Sequence, residues 1–257
     1  MNSQNIFKEH FNYRNYSIHH YQEVKSSNDL AKELLENQQI FANEIILSDI
    51  QTQGKGRLNR QWQSPIGNLY FSLIIDLSQV DKSFYSSFPL MCSIVVNEVL
   101  SDLGQDKFKV LNKWPNDLLI ENKKVCGILV ENLLNNYNQQ LAIIGIGINV
   151  NSNPSSTRYP ATNLKEYAIN TNNIDLLKKF LDKFNIFLEI WKRFGFKNLK
   201  KTWLEKAYLL NQELTINVAK ECQENLLTGI FKNIDEFGNI ILSKDQQTFT
   251  ISVGDVS

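Results

Sequence analysis

The 257-residue chain has little of what most often announces chemistry. Its three cysteines, Cys92, Cys126 and Cys222, are far apart and lack Cys-x-x-Cys spacing, which argues against a disulfide framework and a thiolate zinc site. The three histidines, His10, His19 and His20, all fall within the first twenty residues, which disfavours a histidine-based triad or metal cage. Lys plus Arg and Asp plus Glu are balanced, 27 against 27, so no general basic field exists for nucleic acid or an anionic membrane. The most apolar run, Leu141 to Val150, is about half a membrane span. The start, Met1-Asn2-Ser3-Gln4-Asn5, is polar and has no signal-peptide core. Together these predict a reduced, cytoplasmic protein with neither a nucleic-acid nor a membrane partner. Its chemistry must run on Lys, Arg, Asp, Gln and backbone groups.

What is present is a globular composition, 42% apolar and 21% charged, long enough for one large domain or a large and a small one. One stretch stands apart: Gln51-Thr52-Gln53-Gly54-Lys55-Gly56-Arg57-Leu58-Asn59-Arg60-Gln61-Trp62. Its glycines permit positive φ and close approach to a ligand. No Asp or Glu lies between Gln51 and Ile75, so Lys55, Arg57 and Arg60 have no local counterion. An anion held by amides and cations is one reading, and a mobile basic turn is the other. A P-loop is excluded, because no Gly-Lys-Ser/Thr opens a helix.

Along the chain, residues 1–19 show no clear period and are too short for a helix-turn-helix. Ser26-Ser27-Asn28-Asp29 precedes Leu30, Ala31, Leu34 and Leu35, which predicts a capped amphipathic helix. Strands are predicted from Glu44 to Ser48 and, buried on both faces, from Leu69 to Leu77. A helix opens near Pro89 and ends at Gly104. Strands then run from Phe108 to Lys113, Leu118 to Ile120, Val125 to Glu131 and Leu141 to Val150. Gly145 and Gly147 inside the last of these each cost about 0.5–1 kcal/mol relative to alanine, so close approach of a ligand or another backbone should offset them. Asp175 to Phe194 carries an aromatic stripe that reads as core, followed by a second helix through Trp203 and Leu210. From Asn211 the texture changes to short strands, with Asp235-Glu236-Phe237-Gly238-Asn239 as a hairpin turn, which suits a small β-barrel. The boundary is placed at 210, giving domains of 1–210 and 211–257.

Six elements, in order over roughly residues 20–257, resemble biotin protein ligases in the short form without an N-terminal DNA-binding domain. They are Ser26-Ser27-Asn28; Gly54-Lys55-Gly56-Arg57 with Arg60 and Trp62; Lys113-Trp114-Pro115-Asn116-Asp117; Lys124 through Gly127 to Glu131; Gly145-Ile146-Gly147-Ile148-Asn149; and Gly229-Ile230 through Gly238-Asn239-Ile240. The resemblance implies an α+β fold, a mixed β-sheet catalytic domain flanked by helices with a C-terminal SH3-like small β-barrel. It implies that biotin and ATP, with Mg2+, give biotinyl-5'-adenylate and pyrophosphate, and that a lysine of a biotin carboxyl carrier protein then takes the biotinyl group. Lys124, Arg57 and Asp117 become the candidate catalytic residues. Ser26, Ser27, Gln51, Gly54, Lys55, Lys124 and Gly127 become candidate biotin contacts. Lys55, Arg57, Arg60, Trp62, Lys113, Gly145, Ile148 and Asn149 become candidate ATP or adenylate contacts. No protein-only metal cage is expected, with Asp117 the candidate partner for Mg2+ or else a turn cap. A monomer or weak homodimer is expected.

Two positions depart from the family pattern. Ser27 stands where threonine is common, which keeps the hydroxyl. Lys55 stands where arginine is usual, which keeps the charge and loses the bidentate fork. Three alternatives stay open: a lipoate protein ligase of the same fold, a biotin-responsive repressor, and a biotin-sensing binding protein without activity.

Overall fold

The computed structural model describes residues 5–135, 137–155, 159–218 and 226–256. The chain falls into two compact units, residues 1–79 with 122–181 and residues 80–121 with 182–257. In chain order the first unit begins with β1 (Ile6–Tyr13), β2 (Tyr16–Val24), α1 (Ser27–Glu36), β3 (Glu44–Gln51) and β4 (Leu69–Asp76). The chain then enters the second unit with α2 (Phe88–Gly104), β5 (Val110–Lys113) and β6 (Asp117–Ile120), and returns to the first with β7 (Lys123–Leu134) and β8 (Gln140–Ile148). Helix α3 (Asn173–Phe194) contains the division between the units. The second unit continues with α4 (Lys200–Glu205), β9 (Glu213–Asn217), β10 (Leu226–Ile234), β11 (Ile240–Lys244), β12 (Gln247–Ile251) and β13 (Asp255–Val256). The expected α+β class is the observed one.

In the first unit the strands are ordered β1-β2-β3-β4-β8-β7. Among the described strands of this unit only β2 and β3 pair in parallel, and α1 supplies the crossover such a pair needs. The helix forms as its pattern dictates. Ser26 caps it, accepting from the Asp29 amide, and Leu30, Ala31 and Leu35 are buried against Val24, Ile46, Ile74 and Ile143. Strand β4 is buried from Leu69 through Ile75, as a continuous apolar run requires. The single polar residue inside it, Ser72, is fully buried.

Residues 1–19 differ from the sequence expectation. From Ile6 they form a β-hairpin with β2. Strand β1 is an edge strand exposed along most of its length, so no inside–outside alternation marks it. Two of the three histidines are held by carboxylates: His19 meets Glu44, and the buried His20 meets Asp49 at 2.8 Å and Glu9 at 3.2 Å; His10 meets Ser17 Oγ.

The core of the second unit is aromatic. Phe88 stacks on Trp191 with centroids 4.3 Å apart. The indole of Trp191 donates to Ser87 Oγ, that of Trp203 to Ser93 Oγ, and that of Trp114 to the Gly238 carbonyl, so each buried N–H is satisfied. Helix α2 does stop at Gly104, but the left-handed residue is Gln105, with φ of 49°. Gly104 instead leaves room for the Phe108 ring. The stretch Lys82–Gly104 is long and apolar enough to cross a membrane, and 67% of its apolar window is buried inside the protein. Strands β9 to β13 form an antiparallel sheet in the order β12-β11-β10-β9-β13. The Asp235 carboxylate closes its β10–β11 turn, accepting from the amides of Phe237 and Asn239. Cys92 and Cys126 are buried thiols outside any disulfide, and Cys222 lies outside the described residues.

Candidate functional site

The basic loop belongs to the first unit and folds back on itself. Trp62 N–H donates to the Gly54 carbonyl at 2.8 Å, and Gly56 N–H to the Arg60 carbonyl at 2.7 Å, folding the segment into a small hairpin. Its left-handed residues are Leu58 and Asn59, with φ of 54° and 56°; Gly56 is extended. The glycine at 54 serves close approach instead, since a Cβ there would lie 2.8 Å from Ser64 Oγ. Lys55 does find a counterion, Asp29 of α1 at 2.7 Å, across a sequence separation that hides it from local reading. Lys55 and Arg60 are exposed, and Arg57 is half-buried.

Beside the loop a polar network closes one end of the site. Gln51, the last residue of β3, accepts through Oε1 from the Ser27 amide at 2.8 Å and from Ser27 Oγ at 3.0 Å. Its amide nitrogen donates to Ser64 Oγ at 2.9 Å. Ser72 Oγ lies 2.7 Å from Ser27 Oγ and 2.5 Å from Asn28 Oδ1. Asn28 Nδ2 donates to Glu131 at 2.7 Å, whose other oxygen takes Lys32 at 2.6 Å. Partial burial pushes the Glu131 carboxyl up, and the hydrogen bonds from Lys32 and Asn28 pull it further down, for a net lowering. Of these groups, the sequence marks Ser27 and Gln51 as biotin contacts and carries Asn28 and Glu131 only within longer motifs; Ser26, the other candidate contact, is the cap of α1. Ser64, Ser72 and Lys32 carried no local signal beyond a hydroxyl inside an apolar strand at 72.

The other end is a surface without side chains. Gly127 of β7 and Gly147 of β8 are register partners. An added Cβ at Gly147 would lie 2.6 Å from Trp62 Cε2, and one at Gly127 would lie 2.8 Å from Trp62 Cζ3. The indole therefore lies flat against backbone, with Nε1 buried and without a hydrogen-bond partner. Gly145 gives the same relief to the Asn28 amide. Lys124 Nζ stands 5.1 Å from the Trp62 ring centroid, a cation–π distance. Asn149 is buried and donates to the Thr162 carbonyl at 3.0 Å, while its Oδ1 is buried without a partner. Ile148 is fully buried, so its contribution to any site wall is backbone.

Ser27, Gln51, Gly54, Lys55, Trp62, Lys124, Gly127, Gly145 and Asn149 are thus joined through direct contacts or shared neighbours within one unit. Lys113 and Asp117 belong to the second unit, where they are register partners across β5 and β6. Among the described residues no group of three or more His, Cys, Asp or Glu could hold a metal ion. The assembled groups offer polar partners at one end, and an ammonium, a ring and bare backbone at the other. That arrangement suits a ligand with a polar head and an anionic tail beside a planar group.

Residues 21–149 match the Biotin/lipoate A/B protein ligase family, and the chain belongs to it. Among its relatives, the bifunctional ligase/repressor BirA of Escherichia coli (strain K12) is 29% identical over 211 residues, 80% of this chain and 64% of that protein. The chain thus spans somewhat less than two thirds of that relative's length. The biotin–[acetyl-CoA-carboxylase] ligase of Paracoccus denitrificans is 26% identical, over 77% of this chain and 82% of its own. Among solved structures, biotin protein ligase from Aquifex aeolicus in complex with biotin and ATP matches with a TM-score of 0.78 at 28% identity, covering 93% of this chain and 97% of that one.

Proposed function

We propose that this protein is a biotin protein ligase. In the first step a biotin carboxylate oxygen attacks the α-phosphorus of ATP, forming the mixed anhydride as pyrophosphate leaves. In the second, the unprotonated amine of a lysine on a biotin carboxyl carrier protein attacks the acyl carbon, and AMP leaves. The observation that carries the reading is the Ser27–Gln51–Ser72 network, whose two serines are buried, set within the same unit as Lys124, Trp62 and the bare Gly127–Gly147 backbone. A ureido ring has N–H donors and a carbonyl to match those buried hydroxyls and amides. A dithiolane has none and would bury their remaining donor and acceptor valences without a match, which favours biotin over lipoate. The relatives' names and the Aquifex complex support the same choice. Lys124 is assigned to the biotin carboxylate and the adenylate phosphate, and Lys55, Arg57 and Arg60 to the phosphates. Mg2+ would arrive with the nucleotide, keeping waters and phosphate oxygens as most of its ligands. A cytoplasmic location and a monomeric or weakly dimeric state belong to the same proposal.

The test is pyrophosphate release on mixing the protein with biotin and Mg-ATP, followed by labelling of a carrier lysine. Release with lipoate instead would reverse the substrate assignment, and biotin binding without release would make the protein a sensor.

Lid behaviour of the basic loop gives a second expected result. Lys55, Arg57 and Arg60 are three trypsin sites in one glycine-containing hairpin with Lys55 and Arg60 exposed. Limited digestion should cut the free protein near residues 55–60, and biotin with Mg-ATP should suppress that cut while exposed lysines elsewhere are still cleaved. New contacts to the adenylate must exceed an ordering cost of about 1–2 kcal/mol per backbone residue, so either ligand alone should protect less. Cleavage indifferent to ligand would remove the loop from the adenylate.

A further inference from the structure

The geometry points to Glu131 as a positioning residue that sets, through Asn28 and Ser72, which way the hydrogen bonds of the ureido end of the site run. This deepens the ligase reading and rests on it. A carboxylate accepts only, and the paired Lys32 ammonium keeps Glu131 in that form. The Asn28 group 2.7 Å from Glu131 must therefore be the amide nitrogen, which turns Oδ1 toward Ser72. Oδ1 also accepts only, so the one proton of the Ser72 hydroxyl is committed to it. Ser72 is fully buried and meets Ser27 Oγ at 2.7 Å with lone pairs alone. Gln51 is oriented independently: the Ser27 backbone N–H at 2.8 Å demands an oxygen, which is Oε1. The single Ser27 proton thus has two acceptors within the protein, Ser72 Oγ and Gln51 Oε1, and donates to one of them. Ser27 Oγ is left to present lone pairs to a ligand, which suits a ureido N–H.

A second observation marks the same chain of groups. Gly145 lies in a strand interior, where glycine is costly, and an added Cβ would be 3.0 Å from Asn28 Cγ. The strand gives up a side chain to admit the Asn28 amide. If Asn28 were only filling space, alanine at 145 with a smaller residue at 28 would serve as well.

The test exchanges charge and amide without changing shape. Glu131→Gln lets the residue at 131 donate as well as accept, so Asn28 can flip and Ser72 loses its fixed direction. Asn28→Asp brings two carboxylates together. The double variant Asn28→Asp/Glu131→Gln restores the pattern, because the carboxylate now at position 28 would accept from both the amide now at position 131 and the Ser72 hydroxyl. Each single change should raise the biotin Kd and the KM for biotin about tenfold, the cost of roughly one buried hydrogen bond. The KM for ATP and kcat at saturating biotin should stay within about threefold, and the double variant should return to within about threefold of the original chain. Thermal unfolding of all three separates misfolding from a loss of affinity, and Gly145→Ala, which pushes on the Asn28 amide, should raise the biotin KM in the same way. An unchanged biotin Kd in a folded Glu131→Gln protein, or a double variant no better than the weaker single one, would overturn the inference. The unsubstituted protein is measured first. Failure to bind biotin there sinks the ligase reading and the inference together, whereas normal binding and pyrophosphate release with an indifferent Glu131→Gln sinks the inference alone.

Discussion

Lys124→Ala should lower pyrophosphate release in the presence of biotin and Mg-ATP by about 100-fold or more, with no comparable loss of stability. A hydrogen bond to a charged group contributes about 1.5–3 kcal/mol, this ammonium would make two of them, and each 1.4 kcal/mol is tenfold in rate. The ammonium is proposed to meet the biotin carboxylate and the phosphate where charge redistributes, so its loss should fall mainly on kcat. The fold does not depend on the side chain. The backbone of Lys124 is fixed by its own polar groups, the N–H donating to the Pro160 carbonyl at 2.8 Å and the carbonyl accepting from the Thr162 amide at 3.0 Å. Residues 124 and 161 form a parallel bridge whatever the side chain. Lys124→Arg tests geometry against charge, because a planar fork cannot replace a compact ammonium between two acceptors. It should recover only part of the rate. A folded Lys124→Ala protein with near-native release would leave Lys124 without a role in the chemistry.

Most of the scaffold was readable because its segments obey their local periods. The apolar face of α1, the unbroken run of β4 and the part of the α3 stripe formed by Phe180, Phe184 and Trp191 lie where spacing places them, whereas Phe194 at the end of that stripe is exposed. The turn from Asp235 to Asn239 also forms as its residues dictate, with Gly238 at φ of 86°. The β1–β2 hairpin was not readable, because an exposed edge strand has no face to alternate against. The reading of the basic loop was half right for a physical reason. Gly54 does permit close approach, but Gly56 is not crowded, the positive φ values fall on Leu58 and Asn59, and no propensity scale places leucine there. The Lys55–Asp29 and Asn28–Glu131 pairs join residues 26 and 103 positions apart, so only the fold brings them together. The strand glycines carried the clearest signal. Their cost announced that something approaches the backbone, and that something is Asn28 at Gly145 and Trp62 at Gly147. Sequence could state the cost without naming the visitor.

That visitor at Gly147 leads to the second large effect. Gly147→Ala should reduce pyrophosphate release by about 100-fold at moderate ATP, through the KM for ATP, in a protein that remains folded. Alanine is better by about 0.5–1 kcal/mol than glycine in a strand interior, so the backbone itself gains from the change. The loss comes from sterics. The new methyl carbon would lie 2.6 Å from both Cε2 and Nε1 of Trp62, closer than packed atoms approach, and Gly147 cannot yield because β8 is paired with β4 and β7 on its two sides. The indole must move, and it does not move alone. Trp62 N–H is bonded to the Gly54 carbonyl, so a displaced ring pulls on the hairpin that carries Lys55, Arg57 and Arg60. The Lys124 ammonium, 5.1 Å from the ring centroid, loses its aromatic neighbour as well. Trp62 is the partly exposed one of the four tryptophans, and Trp114, Trp191 and Trp203 are buried in the second unit. A change in emission on substitution therefore reports Trp62. The decisive comparison is a double-mutant cycle with Trp62→Ala. Without the indole there is nothing for the methyl to strike, so Gly147→Ala should cost less than about threefold in that background. If it costs as much there as in the presence of Trp62, the clash is not the mechanism, and the bare backbone at Gly147 must be kept clear for the nucleotide itself.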